Sequence, residues 1–253
     1  MFGKDENNEN VIKRIYEFKP YFYAEISNMD DYNSICTEYS DICLCDKYLP
    51  VGYNKSTKLA KITLKDPKDV RSARDDIKRI VNTVYETDIL FKNRYLIDHG
   101  LGGMSWTEDG KTPLNIVKDV ELRYMAIDIE VLPPKTGGMP VPERDPIIMI
   151  SLAFSPSFDD QQSLVLYNDS EKDLLNSFVD VFKFYNPDVI CYYNGDNFDI
   201  PYIIKRCKNY QIRLNLGKDG STLYSRGFRE SNETICTGRI CVDVLGLCRK
   251  NYS

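Results

Sequence analysis

Asp128 and Glu130 stand two residues apart in the run "AIDIEV". A strand turns successive side chains to opposite faces, so both carboxylates leave from one face. Two acids side by side among Ala126, Ile127, Ile129 and Val131 repel each other and resist ionisation. A bound divalent ion would offset both charges. An edge strand with a wet polar face would also accommodate them, and spacing alone does not choose between the two. A third acid, Asp199, follows the strand-like "DVICYYN" and opens a helical segment. Acids are common there as N-caps or partners of the helix dipole, and Asn194 suits a turn. Taken together, a strand carrying D-x-E and a later strand-to-helix junction carrying Asp can converge at one edge of a mixed sheet. Three carboxylates so placed could hold two divalent ions for in-line attack of water on a phosphodiester.

The rest of the composition narrows the chemistry. His99 is the single histidine in 253 residues, which argues against Ser-His or Cys-His nucleophiles and His-rich metal sites. Of eight cysteines only Cys43 and Cys45 are close, as C-x-C, whereas zinc would want C-x-x-C or a histidine partner. The cysteines read as reduced, mostly buried small hydrophobes. Metal chemistry must then rest on carboxylates, which suit hard ions such as magnesium or manganese. The net charge of −5 gives no basic footprint for nucleic acid. Acids at a metal site make it locally acidic, however, and basic patches can sit elsewhere. No apolar run reaches membrane-spanning length and no signal peptide stands at Met1, so a cytoplasmic protein without a membrane partner is expected.

The elements that must position these acids follow from periodicity. The length suits two domains. Residues 1 to 10 are polar and read as a loop. "VIKRIYEFKPYFYAEI" reads as strand, turn at Lys19-Pro20, strand, and residues 28 to 39 as a short helix. Two more strands flank a polar turn at Gly52 to Thr57. Val70, Ala73, Ile77, Ile80 and Val81 recur at helical spacing after an Asp-Pro start. This makes an α+β unit over 1–90. Residues 91–122 read as a connector, with a short helix ended by Gly100 and a loop from Gly102 to Leu114. Over 123–253 the order is β-β-β-α-β-α, an unassigned stretch, then β-α: an α/β layered domain with a mixed sheet. "PIIMISLAF" is nearly continuous in apolar residues and predicts a strand buried on both faces. Ser170 is the expected N-cap of a helix burying Leu174, Leu175, Phe178, Val179 and Phe182.

"AIDIEV" and "YNGDNFDIPYI" (Tyr193 to Ile203) resemble the first and second exonuclease motifs of family B DNA polymerases, closely so the archaeal replicative members. The likeness continues through "FKPYFYAEI", "DPKDVRSARDDI", "FKNRYLIDHGL", "DPIIMIS" and "GRICVDVLGL", in the family's order. It implies an N-terminal polymerase domain followed by a ribonuclease-H-like 3′-5′ proofreading exonuclease. By motif match, Asp128, Glu130 and Asp199 would bind Mg2+ or Mn2+ in a two-metal site. Asn194 would hold the frayed primer end, and Phe198 would lie at the melted terminus, where an aromatic face suits stacking on unpaired bases. The implied partners are the primer 3′ end, single-stranded template, and the remaining polymerase domains in the same or a second chain, with a sliding clamp as a further candidate.

Archaeal members also capture template uracil in the N-terminal domain. The segments that line that pocket match here at Pro20, Tyr21, Asp69, Val70, Arg74, Phe91 and Arg94. Arg71 stands where the family usually has proline, and the chain begins inside what resembles the first hairpin, so impaired uracil capture is expected. A plain Pro20-Tyr21 turn with solvated Arg74 and Arg94 is the competing reading. The family's third exonuclease motif, Tyr-x-x-x-Asp on a helix, would fall after Ser253. Asp243, in "CVDVLG", sits where the family has an aspartate at a strand end and does not match that motif. By the resemblance, palm, fingers and thumb would be missing. The expectation is a fragment that does not polymerise DNA and has weak or no nuclease activity alone, with a catalytically inactive single-stranded-DNA or uracil-binding module as the alternative. Asp196 reads as a solvated turn acid.

Overall fold

The chain starts with a small hairpin, β1 (Phe2–Lys4) paired antiparallel with β2 (Asn10–Ile12). The carboxylate of Asp5 closes it by accepting from the amides of Asn7 and Glu9. This corrects the loop expected over residues 1 to 10: local polarity concealed a turn built by a side chain. The structure, a computed structural model, describes residues 1–253 apart from 46–57, 117, 136, 229–230 and 252–253. The turn expected at Gly52 to Thr57 lies outside the described residues. Two compact units emerge, Met1–Lys13 with Lys118–Ser253, and Arg14–Val117. The division therefore differs from borders at 90 and 122. The N-terminal hairpin joins the later unit, and most of the expected connector belongs to the middle one.

Within Arg14–Val117, β3 (Tyr21–Glu25), α1 (Met29–Glu38), β4 (Ile42–Cys45), β5 (Leu59–Thr63), α2 (Val70–Ile77), β6 (Val84–Tyr85) and α3 (Phe91–Asp98) follow in order. The strands form an antiparallel sheet, β4-β5-β3-β6. Its inward residues Phe22, Ala24, Ala60 and Ile62 pack with Ala73 and Ile77, one turn apart on α2. A turn of 3-10 helix, Pro67–Asp69, leads into α2, capped by the Asp66 carboxylate. Ile80 and Val81 follow the helix, yet Val81 is still buried. The strand expected before Lys19-Pro20 survives only as β2; Phe18 instead packs its ring against Phe91, Tyr95 and His99.

In the other unit, β7 (Tyr124–Val131), β8 (Ile147–Phe158), β9 (Gln161–Tyr167), α4 (Glu171–Tyr185), β10 (Val189–Tyr192) and α5 (Asp199–Asn209) come next. A hairpin, β11 (Tyr224–Phe228) and β12 (Ser231–Ile235), fills the stretch left unassigned, and β13 (Ile240–Asp243) and α6 (Val244–Asn251) complete the order. The sheet runs β13-β10-β7-β8-β9, parallel from β13 to β7 and antiparallel from β7 to β9. It is the mixed sheet expected, and β7 is central. Ser170 caps α4, and all five expected apolar residues of that helix are buried. They meet Met125, Ile127 and Ile129 of β7 and Ile150, Leu152 and Phe154 of β8 in one core.

β8 corrects an expectation. It is not buried on both faces: Ile150 and Leu152 are buried, while Ile148 and Ala153 are exposed. The apolar run fixed strand type, but coverage of the second face depends on what packs there, which no local pattern encodes. Of the six cysteines whose side chains are described, all are free. Cys207 and Cys236 are buried, Cys36 is exposed, and the others are half-buried, a more exposed set than expected. No helix among the described residues is long and apolar enough to cross a membrane.

Candidate active site

β7 alternates strictly. Met125, Ile127 and Ile129 point into the core, and Tyr124, Ala126, Asp128 and Glu130 lie on the exposed face. The wet face of the bland reading is therefore present, but the edge strand is not, since β7 is flanked by β8 and β10. After β7, β8 and β9 are laid down on one side, the chain crosses to β10 on the other. Ligands of open α/β sheets favour such a switch point, at the carboxyl ends of the strands. Pairing of β10 with β7 ends at Cys191 and Ala126, just short of Asp128.

Asp199 fills the place where that ladder stops. It is the first residue of α5, and its Oδ1 accepts a hydrogen bond from the backbone amide of Ile129 at 3.2 Å. The carboxylate thus replaces a strand partner on β7, one residue from Asp128. Its residue is 4% exposed. Burial pushes the Asp199 carboxyl up to about 6; the Ile129 amide opposes this, and nearby Asp128 and Asp243 reinforce it. The structure therefore brings Asp128 and Asp199 within electrostatic reach, with Glu130 next on the same face of β7. Among the described residues, no three His, Cys, Asp or Glu side chains are gathered closely enough to hold a metal ion. The Asp128–Asp199 pair nevertheless fits a hard divalent cation: its donors are carboxylate oxygens, and a cation would offset both the burial of Asp199 and its repulsion by Asp128.

The turn between β10 and α5 is tightly built. Asn194 has a left-handed backbone, φ 60°, and its carbonyl accepts from the amides of Asn197 and Phe198. Its side-chain Oδ1 accepts from Asn197 Nδ2 at 3.2 Å. Gly195 is required by close approach, since a Cβ there would lie 2.5 Å from Cγ of Tyr192. Phe198 packs half-buried against the core, its ring 5.4 Å from Tyr202. Asp196 corrects the solvated-acid expectation. It is half-buried, and its Oδ1 accepts from the Tyr192 hydroxyl at 2.8 Å and the Thr234 amide at 2.9 Å. Sequence reasoning placed Asp243 at a strand end but gave it no role; at the end of β13 it accepts from the amides of Asn194, Asp196 and Leu245. The signal available for it was an aspartate at a strand-to-helix junction, where side-chain capping is common.

The second set of expected residues lies in the Arg14–Val117 unit. Tyr21 donates its hydroxyl to Asp98 at 2.7 Å, with the Arg94 guanidinium 4.6 Å and Lys61 Nζ 3.9 Å from its ring centre. Arg94 is 5% exposed and pairs with Glu86 at 2.5 Å, which removes it from the solvated reading. Pro20 is buried and its carbonyl accepts from Leu64. Phe91 tilts against Phe18. Asp69, Val70 and Arg74 sit on other elements, the 3-10 turn and α2, with Arg74 bonded to Asp75 and Val70 packed on the core.

A central β7 bearing Asp128 and Glu130, joined to Asp199 at a strand-to-helix junction, defines an α/β domain with a carboxylate site. The family model described as DNA polymerase family B, exonuclease domain, matches residues 82–163 and 155–253, and the chain belongs to this family. A DNA polymerase of Methanocaldococcus jannaschii is 35% identical over 95% of the chain and 16% of its own length. A DNA polymerase of Pyrococcus glycovorans is 31% identical over 99% of the chain and 32% of its own length. The structure of the family B DNA polymerase from the hyperthermophilic archaeon Pyrobaculum calidifontis superposes with a TM-score of 0.79 at 25% identity, over 99% of this chain and 35% of that one. The chain thus spans about a third or less of the length of these relatives. The mixed sheet is consistent with the ribonuclease-H-like fold expected of the exonuclease domain.

Proposed function

We propose that this chain is the exonuclease-bearing, N-terminal part of a DNA-directed DNA polymerase, removing mispaired nucleotides from the 3′ end of a primer. The observation that carries the reading is the bond from Asp199 to β7 beside Asp128, within a span matching the exonuclease family. Asp128, Glu130 and Asp199 would hold Mg2+ or Mn2+, as one site or a pair. When bound, such ions lower the pKa of water and offset charge on the phosphodiester. Before that, Asp199 keeps α5 seated on β7. Asn194 offers its amide side chain at the strand end, and Phe198 an aromatic flank for an unpaired terminal base. DNA, single-stranded template and the remaining polymerase domains are the partners this reading requires.

Incubating the chain with a 3′-labelled single-stranded primer and manganese tests it. Weak release of the terminal nucleotide, lost with EDTA and in Asp128→Ala, is the expected result. Degradation that persists in that variant would overturn it, and metal-independent DNA binding without cleavage would favour a binding module instead. Capture of template uracil rests on Tyr21 and Arg94 standing together. Both are already engaged, with Asp98 and Glu86, so a base entering there must displace those bonds or use backbone groups.

A further inference from the structure

Asp243 is 44 residues beyond Asp199 in sequence (243 − 199), yet it meets the motif turn through its backbone. β13 pairs in parallel with β10 in a register that sets Asp243 opposite Tyr192, the last residue before the turn. From there one carboxylate takes three amides. Oδ1 accepts from Asn194 at 2.9 Å and from Leu245 at 3.0 Å, and Oδ2 accepts from Asp196 at 3.2 Å. Hydrogen bonds to a charged acceptor are roughly twice as strong as neutral ones. The amides of Asn194 and Asp196 belong to a turn that needs outside support. Asn194 is a non-glycine residue at φ 60°, and Gly195 is pressed against the Tyr192 ring. Such backbone persists when its surroundings over-determine it. Asp196 adds a second tie, from the turn to Thr234 of β12.

We propose that Asp243 is a positioning residue: its carboxylate fixes the 194–198 turn and so sets where Asn194 and Asp199 point. It acts through the backbone and need not touch substrate. The catalytic consequence rests on the exonuclease reading; the effect on the turn does not. A loosened turn displaces Asp199 at the head of α5, and misplacement by about 1 Å can cost on the order of 10²-fold in rate.

The test compares Asp243→Ala and Asp243→Asn in the full chain, following amide hydrogen exchange across 193–199 and manganese-dependent primer hydrolysis. In Asp243→Ala, exchange at Asn194 and Asp196 should quicken about tenfold or more while β7 and β8 amides keep their rates, and kcat should fall by about 10²-fold. Asp243→Asn keeps one acceptor and should recover part of both losses, a rescue that loss of bulk alone would not give. Unchanged exchange at Asn194 and Asp196 overturns the proposal, as does loosening of the turn without loss of hydrolysis. Should the parent chain not cleave, or Asp128→Ala cleave as well as the parent, the exonuclease reading fails by itself. The exchange rates then decide whether Asp243 holds the turn.

Discussion

The Asp128–Asp199 site and the Tyr21–Arg94 cluster are both built from charged side chains at strand and helix ends, and they treat charge in opposite ways. Around Tyr21 the charges cancel: Arg94 is paired with Glu86 and lies near Asp98, which in turn takes the tyrosine hydroxyl. At Asp199 the near neighbours that affect its charge are two more acids, and the Ile129 amide donates to its carboxylate. The first arrangement balances its charges among its own side chains. The second gathers acids that a cation would relieve, which is why the proposed chemistry is placed there.

The largest effect that would sharpen this contrast is on catalysis. Asp128→Ala or Asp199→Asn should lower primer hydrolysis by on the order of 10³-fold or more, since metal ligands stabilise charge in the transition state. Residual cleavage near the parent rate would move the site elsewhere. Next in size is Arg94→Ala. Breaking a buried pair is costly, and urea unfolding should show a loss of up to roughly 3–5 kcal/mol. If stability held and only uracil-containing DNA lost affinity, the cluster would be a binding site rather than a packed support.

A smaller effect of opposite sign is expected for Asp199→Asn in chelator. The rise of the carboxyl from 3.8 to about 6 corresponds to at most ~3 kcal/mol. The folded protein holds this proton more tightly than the unfolded chain. The group's stabilising contribution is therefore full below pH 3.8 and lost as pH rises through about 6. Thermal melts should match parent and variant at pH 3.5 and show the variant melting higher at pH 7.5, with manganese narrowing the gap. A variant less stable at both pH values would mean Asp199 acts chiefly as a hydrogen-bonded strut. The smallest change should come from Lys61→Ala, which removes the ammonium above Tyr21 and should cost about 0.5–1 kcal/mol in the same urea experiment.

Local signals in the sequence carried much of this far. The α4 helix, from its Ser170 cap to its five buried apolar residues, needed nothing beyond its own periodicity. The D-x-E spacing placed Asp128 and Glu130 on one face correctly, because a strand's period does not depend on its neighbours. What stayed illegible was non-local. The open face beside β8 depends on which elements pack there. The roles of Asp196 and Asp243 depend on hydrogen bonds to Thr234 and Asn194, 38 and 49 residues away. The assignment of residues 1–13 to the later unit follows from contacts such as Lys4 with Asp188, 3.1 Å apart and both nearly buried.

That last pair sets a problem of timing. The ribosome makes the hairpin before the Arg14–Val117 unit, but the carboxylate that receives Lys4 comes only after that whole unit has been synthesised. Until then two short strands have no sheet to rest on, and a lone hairpin is marginal in water. A segment made before the Arg14–Val117 unit therefore settles only after it. A nascent chain stalled before Asp188 should leave the Phe2–Ile12 hairpin open to protease, and one released after it should not.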